Sequence, residues 1–267
     1  MSQPPVLVFG DDGSPGADVA WLWVCGHPWT GWRAEVITAV TPPIGPPPGS
    51  AAAVPHPWEP PEPRPCFDET AFVEVAHLRA EADPRALLGG RTDADLLVVG
   101  ARGEGLLKEL HLGSTAEYLL HHPPAPLLVV TRATPTTVVV VAADGSPHAR
   151  AAVDALRAMP WLDTVSRIEV VTVGDDHEDW EAPDVHAVLD EAASVLAGAG
   201  PEIATRQLQA DGSVASTLLE YSRHVDADLL ALGTRGLGAV RRLLMGSTAT
   251  AVTARAECPV LLARAGA

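Results

Sequence analysis

The chain of 267 residues repeats itself, and the repeat limits the folds it can adopt. Residues 6–15, VLVFGDDGSP, return as residues 138–147, VVVVAADGSP. The pentapeptide DADLL stands at 93–97 and again at 226–230, 133 positions later. The tetrapeptide GSTA at 113–116 returns at the same spacing. Three matches in nearly one register indicate a duplicated domain. We place one unit at residues 1–133 and the other at 134–267, each the size of a small domain.

Strands and helices alternate along the second unit. Runs of β-branched and apolar residues predict strands, and apolar residues at helical spacing between turn residues predict helices. The predicted strands are 137–142, 167–173, 202–209, 228–233 and 259–263, and the predicted helices are 146–158, 183–198, 213–224 and 246–256. Strict alternation predicts an α/β protein of two tandem doubly wound domains, each with a five-stranded parallel sheet.

The first unit follows the same order with one departure. Between its second strand, at about 34–40, and its third, at about 72–78, lies a segment with 11 of the chain's 25 prolines. Proline fixes φ and removes a donor, so we predict that a loop over 41–68 replaces the second helix. Two interpretations stay open, a linker-like excursion and a cover over a first binding site. Only the cover interpretation predicts that deletion of residues 43–64 changes affinity at that site.

The charge balance excludes several classes of partner. The chain carries 34 acidic and 18 basic residues, a net charge of −16, and such a surface repels nucleic acid and anionic membranes. The three cysteines show no metal-ligand spacing, and no signal peptide or long apolar span stands out. We expect a cytoplasmic protein with neither a nucleic-acid nor a membrane partner. Lys108 is the chain's one lysine, and a phosphate site must concentrate local donors against this charge, which backbone N–H groups at a helix start can do without a charged side chain.

Each unit carries one glycine motif that predicts chemistry. After the fourth strand, two glycines three residues apart are followed by nine residues and then Gly-Ser-Thr. The first glycines permit a sharp turn and close approach, and the third begins a helix whose free N–H groups face an anion. The motif differs from both the Walker A loop and the dinucleotide fingerprint. The motif residues are Gly100, Gly103, Gly113, Ser114 and Thr115, and Gly233, Gly236, Gly246, Ser247 and Thr248.

These glycine motifs, combined with Asp-Gly-Ser after the first strand, resemble the ATP-binding branch of the universal stress protein family. The resemblance covers both units and implies the fold called adenine nucleotide alpha hydrolase-like. It implies that Asp12 and Asp144 lie by the nucleoside, that Val40 and Val173 touch adenine, and that the motif residues hold the phosphates. It also implies that 126–131 and 259–263 pair the two halves as a pseudo-dimer.

The resemblance further implies a stress-response role, a homodimer and a regulatory protein partner that the sequence does not identify. Micromolar affinity needs about 8 kcal/mol, and a helix N-terminus supplies roughly 0.3–2 kcal/mol to an anion. Burial of adenine and several N–H bonds are therefore required. Mg²⁺ is a candidate for screening the triphosphate in so acidic a protein.

Other interpretations compete with these residue by residue. Asp12 and Asp144 are also typical turn or cap residues. Arg102, Lys108, Arg235 and Arg241 reach phosphates or are simply solvated. The acidic run 175–179 is better interpreted as a solvated loop than as a metal site. The four tryptophans between 21 and 32 are expected to pack in a core or interface.

The sequence has no recognisable catalytic constellation, so we expect no efficient enzyme and at most slow ATP hydrolysis or autophosphorylation. Two alternatives to a nucleotide-binding regulator stay open. One is a weak ATPase or adenylyl-transfer enzyme. The other is a nucleotide-free stress module that acts through protein contacts.

Overall fold

The computed structural model describes residues 3–40, 64, 71–101, 112–174, 184–237 and 246–266. Several residues that the sequence singles out lie outside these ranges. They are Arg102, Gly103, Lys108, Arg241, the acidic run 175–179 and the proline-rich segment apart from Arg64.

The described elements alternate as the sequence predicts. Unit one contains β1 (Val6–Gly10), α1 (Pro15–Cys25), β2 (Arg33–Val40), β3 (Glu74–Glu81), α2 (Pro84–Gly89), β4 (Leu96–Gly100), α3 (Ser114–His121) and β5 (Leu127–Val130). Unit two contains β6 (Val138–Ala142), α4 (Pro147–Arg157), β7 (Arg167–Gly174), α5 (Val185–Leu196), β8 (Glu202–Gln209), α6 (Val214–His224), β9 (Leu229–Gly233), α7 (Ser247–Arg255) and β10 (Val260–Ala263). The predicted α/β fold class is confirmed.

All ten strands belong to one sheet, in the order β3-β2-β1-β4-β5-β10-β9-β6-β7-β8. Within each unit the neighbouring strands are parallel, as predicted. The halves meet where β5 pairs antiparallel with β10, with Val129 opposite Val260. The prediction that 126–131 and 259–263 pair the halves is therefore confirmed. Because that pairing continues the hydrogen-bond ladder, two five-stranded sheets become one of ten strands.

Helices cover both faces of the sheet. Side chains alternate between the faces along each strand, so Leu7 and Phe9 join one core cluster while Val6 and Val8 join the other. Helices α1, α4 and α5 pack into the first cluster, and α2, α3, α6 and α7 pack into the second. Each cluster contains residues of both units, so the two halves share their cores.

An aromatic cluster lies where α1 of unit one approaches the residues after α4 of unit two. The Trp23 and Trp161 rings stand edge to face with centroids 5.7 Å apart, and the His27 ring lies 4.9 Å from Trp161. His27 is buried and its Nε2 lies 2.9 Å from the hydroxyl of Thr136. Trp29 packs against Trp23 as well. The prediction of core and interface packing for these tryptophans is confirmed.

Candidate functional site

The first turn of each unit is built on Asp-Gly-Ser. The hydroxyls of Ser14 and Ser146 cap α1 and α4, each accepting a backbone N–H three residues ahead at 3.1 Å. Before each cap, the aspartate accepts the serine N–H, at 3.0 Å for Asp12 and 2.9 Å for Asp144. Both aspartates therefore take part in the turn, as the alternative interpretation expects. That bond uses one carboxylate oxygen and leaves the other for further partners.

In unit two, the second oxygen of Asp144 contacts the glycine loop. Its Oδ2 accepts the N–H of Leu237 at 3.1 Å, directly after Gly236. A Cβ added to Gly236 would lie 2.6 Å from that same oxygen, so a side chain there would displace the aspartate. Ser146 Oγ also donates to the carbonyl of Arg235 at 3.2 Å. The predicted nucleoside residue and the predicted phosphate loop are thus in direct contact.

The first glycine of each motif lies against the first turn of a helix. A Cβ on Gly100 would approach the Gly16 carbonyl oxygen to 2.5 Å. A Cβ on Gly233 would approach the Ala149 nitrogen and the His148 carbonyl carbon to 2.6 Å. Only glycine permits such contact between a strand end and backbone, and this contact fixes the loop beside the Asp-Gly-Ser turn.

The third glycine closes the loop on the strand end from which it left. Gly113 N–H donates to the Ala101 carbonyl, and Gly246 N–H donates to the Thr234 carbonyl, both at 2.8 Å. The two ends of the loop, with eleven residues between them, therefore meet at the sheet edge, where α3 or α7 begins. The motif residues Ser114, Thr115, Ser247 and Thr248 lie in the first turns of these two helices.

Helices α3 and α7 differ from the other described α-helices at their N-termini. Their N-cap glycines provide no side-chain hydrogen bond. Each of the other five α-helices in the described residues has a side-chain cap, from Ser14, Asp83, Ser146, Asp184 or Ser213. Uncapped N–H groups at a helix start are suited to bind an anion. The two helices that follow the glycine loops are thus the ones whose first N–H groups no side chain caps.

The predicted adenine contacts, Val40 and Val173, do not occupy matching positions. Strand pairing aligns Gly10 with Ile37 and Ala142 with Val171. Counting on from these pairs, Val40 of unit one matches Gly174 of unit two. Val173 of unit two matches Ala39, the residue before Val40. Alternate residues face opposite sides of a strand, so the two valines point to opposite faces of the sheet in their units.

Sequence reasoning missed an ionic contact in unit one. Asp11 stands where unit two has Ala143, since their N–H groups extend the same ladder to β2 and β7. Arg64 donates to both Asp11 oxygens, from Nε at 2.8 Å and Nη2 at 2.6 Å, and also donates to Asp18. The extra aspartate is visible when DDGS is aligned with ADGS, but nothing in the proline-rich segment signals Arg64.

A histidine of unit two was missed as well. His148 Nδ1 accepts the N–H of Ala265 at 3.0 Å and lies 3.4 Å from the hydroxyl of Thr234. Burial lowers its pKa below the ordinary value, and the charges of Arg235 and Arg264 lower it further. The side chain is therefore a neutral ring whose proton resides on Nε2, at the edge of the sheet where the glycine loop begins.

Two cavities accompany the described residues. One of about 120 Å³ lies between α4 and α5, is lined mainly by apolar side chains such as Val153 and Val188, and reaches Gly145 of the first turn. Another of about 430 Å³ lies at the opposite edge of the sheet, among Arg132, Asp228 and Cys258. Among the described residues, no group of three or more histidine, cysteine or acidic side chains is placed to hold a metal ion.

Comparisons with known proteins agree with the sequence motifs. The model of the Universal stress protein family matches residues 74–131 and 136–264. Universal stress protein Rv2623 of Mycobacterium tuberculosis is 28% identical, with 97% of this chain and 96% of its own length aligned. A universal stress protein of Mycolicibacterium smegmatis is 29% identical over 74% of this chain and 72% of its own.

A solved structure with a TM-score above 0.5 shares the fold over nearly the whole chain. A universal stress protein from Archaeoglobus fulgidus aligns over 99% of this chain and 97% of its own, with a TM-score of 0.66 at 18% identity, which shows the fold. A universal stress protein in complex with cAMP covers 50% of this chain and all of its own, at 27% identity and a TM-score of 0.40. In the described residues, no helix has the length and apolar character that spanning a membrane requires.

Proposed function

The chain belongs to the universal stress protein family, and on that premise we propose that it is a regulatory protein that binds an adenine nucleotide, ATP foremost, at each glycine loop. In this proposal one site belongs to the unit of residues 1–133 and the other to the unit of residues 134–267. Nucleotide occupancy governs how the chain, as a cytoplasmic homodimer in a stress response, contacts a protein partner.

The observation that carries the proposal is the pair of uncapped helix starts. Helices α3 and α7 begin at Gly113 and Gly246, each tied back to its strand end, with no side chain on the first N–H groups. A polyphosphate placed there accepts those N–H groups and meets the positive end of the helix dipole. Because backbone supplies the donors, the site works in a protein whose net charge is −16.

Asp144 supports the nucleoside end of the same proposal. Its carboxylate joins the first turn to the glycine loop through Ser146 and Leu237, which places an acceptor beside the phosphate site. A ribose hydroxyl is a donor suited to such a carboxylate. Asp12 is the matching acceptor of unit one, where the loop residues that would contact it lie outside the described ranges.

The free energies require more than phosphate capture. A helix N-terminus supplies roughly 0.3–2 kcal/mol to an anion, whereas micromolar binding needs about 8 kcal/mol. The remainder comes from N–H bonds, the carboxylate and burial of adenine near the ends of β2 and β7, where we place Val40 and Val173. Mg²⁺ screens the triphosphate in this proposal.

Isothermal titration with MgATP tests the proposal. We expect the unaltered chain to bind two ATP. Ser114→Glu should disable the site of unit one, and Ser247→Glu the site of unit two. Both serines are exposed at the first helical position, where a glutamate favours the helix but repels a phosphate. Affinity at the altered site should fall by roughly 100-fold, about 2.7 kcal/mol.

The matched control is Ser194→Glu, which adds the same charge at an exposed serine elsewhere in unit two. The nucleotide released from freshly purified protein on denaturation, identified by mass, gives an independent readout. A chain that carries no nucleotide and binds none at millimolar MgATP contradicts the proposal and leaves a module that acts through protein contacts.

A further inference from the structure

The guanidinium of Arg64 contacts two carboxylates of unit one, near the carboxyl end of β1. Nε and Nη2 of Arg64 donate to the two oxygens of Asp11, and Nη1 donates to Asp18. The Asp11 side chain is 2% exposed and that of Arg64 is 12% exposed, so both charges are nearly removed from water. Asp11 also accepts the N–H of Gly13 at 3.0 Å, so its two oxygens receive three hydrogen bonds.

This contact lies at the same sheet edge as the first glycine loop. Phe9 pairs with Val98, so two residues further along the strands Asp11 stands level with Gly100, where the loop begins. The first turn of α1 also packs directly against Gly100. The carboxylate that the guanidinium binds thus lies at the sheet edge where the first glycine loop begins.

Unit two has a different distribution of charge in the matching place. Ala143 replaces Asp11, and Arg150 replaces Asp18 and pairs with Glu191 at 2.8 Å. Formal charges there sum to −1, from Asp144, Arg150 and Glu191. In unit one Asp11, Asp12 and Asp18 contribute −3, and Arg64 brings the sum to −2.

We propose that Arg64 sets the affinity of the first nucleotide site, where its bonds to Asp11 and Asp18 lower the negative charge enough for a polyphosphate to bind. The inference rests on the proposed nucleotide function. Arg64 acts through the carboxylates that it neutralises and needs no contact with the nucleotide. Unit two needs no such residue because it lacks the buried aspartate.

Loss of the guanidinium leaves an unpaired buried carboxylate at the sheet edge where we propose that the phosphates bind. Like charges in a poorly solvated region repel strongly, so we expect Arg64→Gln to weaken MgATP at site one by about tenfold or more. If the cause is charge, removing the aspartate as well restores binding. A purely structural role also predicts that rescue, because Asp11→Ala removes the orphaned buried charge, but it predicts no gain in affinity from Asp11→Ala in a chain that retains Arg64.

The experiment uses the full chain with site two disabled by Ser247→Glu, and titrates MgATP calorimetrically. The series adds Arg64→Gln, then Arg64→Gln with Asp11→Ala. The control is Arg85→Gln, which removes the same charge from an exposed arginine of unit one on α2. We expect a loss of about tenfold with Arg64→Gln, recovery to within about threefold with the added Asp11→Ala, and no change in the control.

The outcomes separate the inference from the function on which it rests. Unchanged affinity with Arg64→Gln, or a loss that Asp11→Ala does not restore, overturns the inference while the nucleotide function stands. Binding to the Ser114→Glu chain but none to the Ser247→Glu chain also overturns it, because unit one is then not a site. Absence of binding in the unaltered chain overturns the proposed function itself.

A second variant keeps the inference testable where Arg64→Gln fails to fold, as circular dichroism would reveal. Asp11→Ala alone, on the Ser247→Glu background, removes a negative charge and retains Arg64. We expect MgATP to bind several-fold more tightly at site one. Equal or weaker binding in a folded chain overturns the inference.

Discussion

Units one and two repeat the same backbone contacts with different charges. Gly100 and Gly233 each press against the first turn of a helix, and Gly113 and Gly246 each close a loop at 2.8 Å. The ion pairs at the first helix are reversed, because Asp18 in unit one stands where unit two has an arginine. Duplication has retained the close contacts, which tolerate no side chain, and has let the charges diverge.

This difference indicates that the two sites have one geometry and unequal electrostatics. In the proposed sites, backbone N–H groups and glycines form the phosphate cradle of both units. The charge around each cradle depends on side chains that differ, such as Asp11 against Ala143. We therefore expect the sites to differ in affinity more than in the ligand they accept.

The largest expected difference between the units lies in their ion pairs. Arg64→Ala orphans a carboxylate that is 2% exposed and should lower the free energy of unfolding by about 3 kcal/mol. Arg150→Ala removes an ion pair whose partners are each about half exposed and should cost about 0.5 kcal/mol. Urea unfolding of both variants measures the contrast. Equal costs would show that the Arg64 contact is no more buried in solution than its counterpart.

The next prediction concerns a feature that the units share. Gly100→Ala and Gly233→Ala each place a Cβ within 2.6 Å of backbone atoms that cannot move aside easily. Each should lower the free energy of unfolding by about 2–3 kcal/mol, since overpacking forces the backbone to shift. Gly31→Ala is a control for glycine loss in open space, although its positive φ adds some strain. A cost in one unit alone would contradict the shared geometry.

Sequence patterns predicted the second unit closely because each element carries its own local signal. The valine run before Asp144 predicts a buried strand, and Ser146 with Pro147 marks the helix start that the structure has. The predicted strands and helices of that unit agree with the observed bounds to within two residues at each end. These signals lie within a few residues of the elements they specify.

Features that depend on distant residues were harder to predict. The contact of Arg64 with Asp11 spans 53 positions and leaves no periodic pattern. The register that separates Val40 from Val173 depends on two extra residues between the first and second strands of unit two. Pairing of the halves through β5 and β10 was predicted only from the family resemblance, since each strand by itself is an ordinary apolar run.

The repeated DADLL segment offers a smaller contrast. Asp228 Oδ2 accepts three hydrogen bonds. They come from the Thr137 N–H at 3.0 Å, the Thr137 hydroxyl at 2.6 Å and the Val138 N–H at 3.1 Å. At the matching position of unit one, Asp95 Oδ2 accepts the Val6 N–H at 2.8 Å. We expect Asp228→Ala to cost about 2 kcal/mol and Asp95→Ala about 1 kcal/mol, measured by urea unfolding. A larger cost for Asp95→Ala would contradict the hydrogen-bond account.

The smallest expected effect concerns a histidine at the join between the units, whose counterpart in unit two does not titrate. His27 of unit one is buried against Trp23 and Trp161, and the matching position of unit two, 132 residues later, is Met159. Burial lowers the pKa of His27 below its ordinary 6.5, although its bond to the Trp23 carbonyl opposes the shift. The folded chain therefore holds this ring neutral at a pH where the unfolded chain protonates it.

The sign of the pH effect follows from that lowered pKa. Above about pH 6.5 both states carry a neutral ring and His27 contributes no slope. As the pH falls below 6.5, the unfolded state binds a proton first, so stability falls by at most about 1.4 kcal/mol per pH unit until the folded ring protonates too. His27→Gln should reduce the loss of stability between pH 7 and 5.5, whereas His224→Gln, at an exposed position, should not. His148 contributes to the slope in every variant, so the difference between chains isolates His27. Equal slopes in the His27→Gln and unaltered chains would mean that the join opens to water and that the halves separate more readily than their shared core implies.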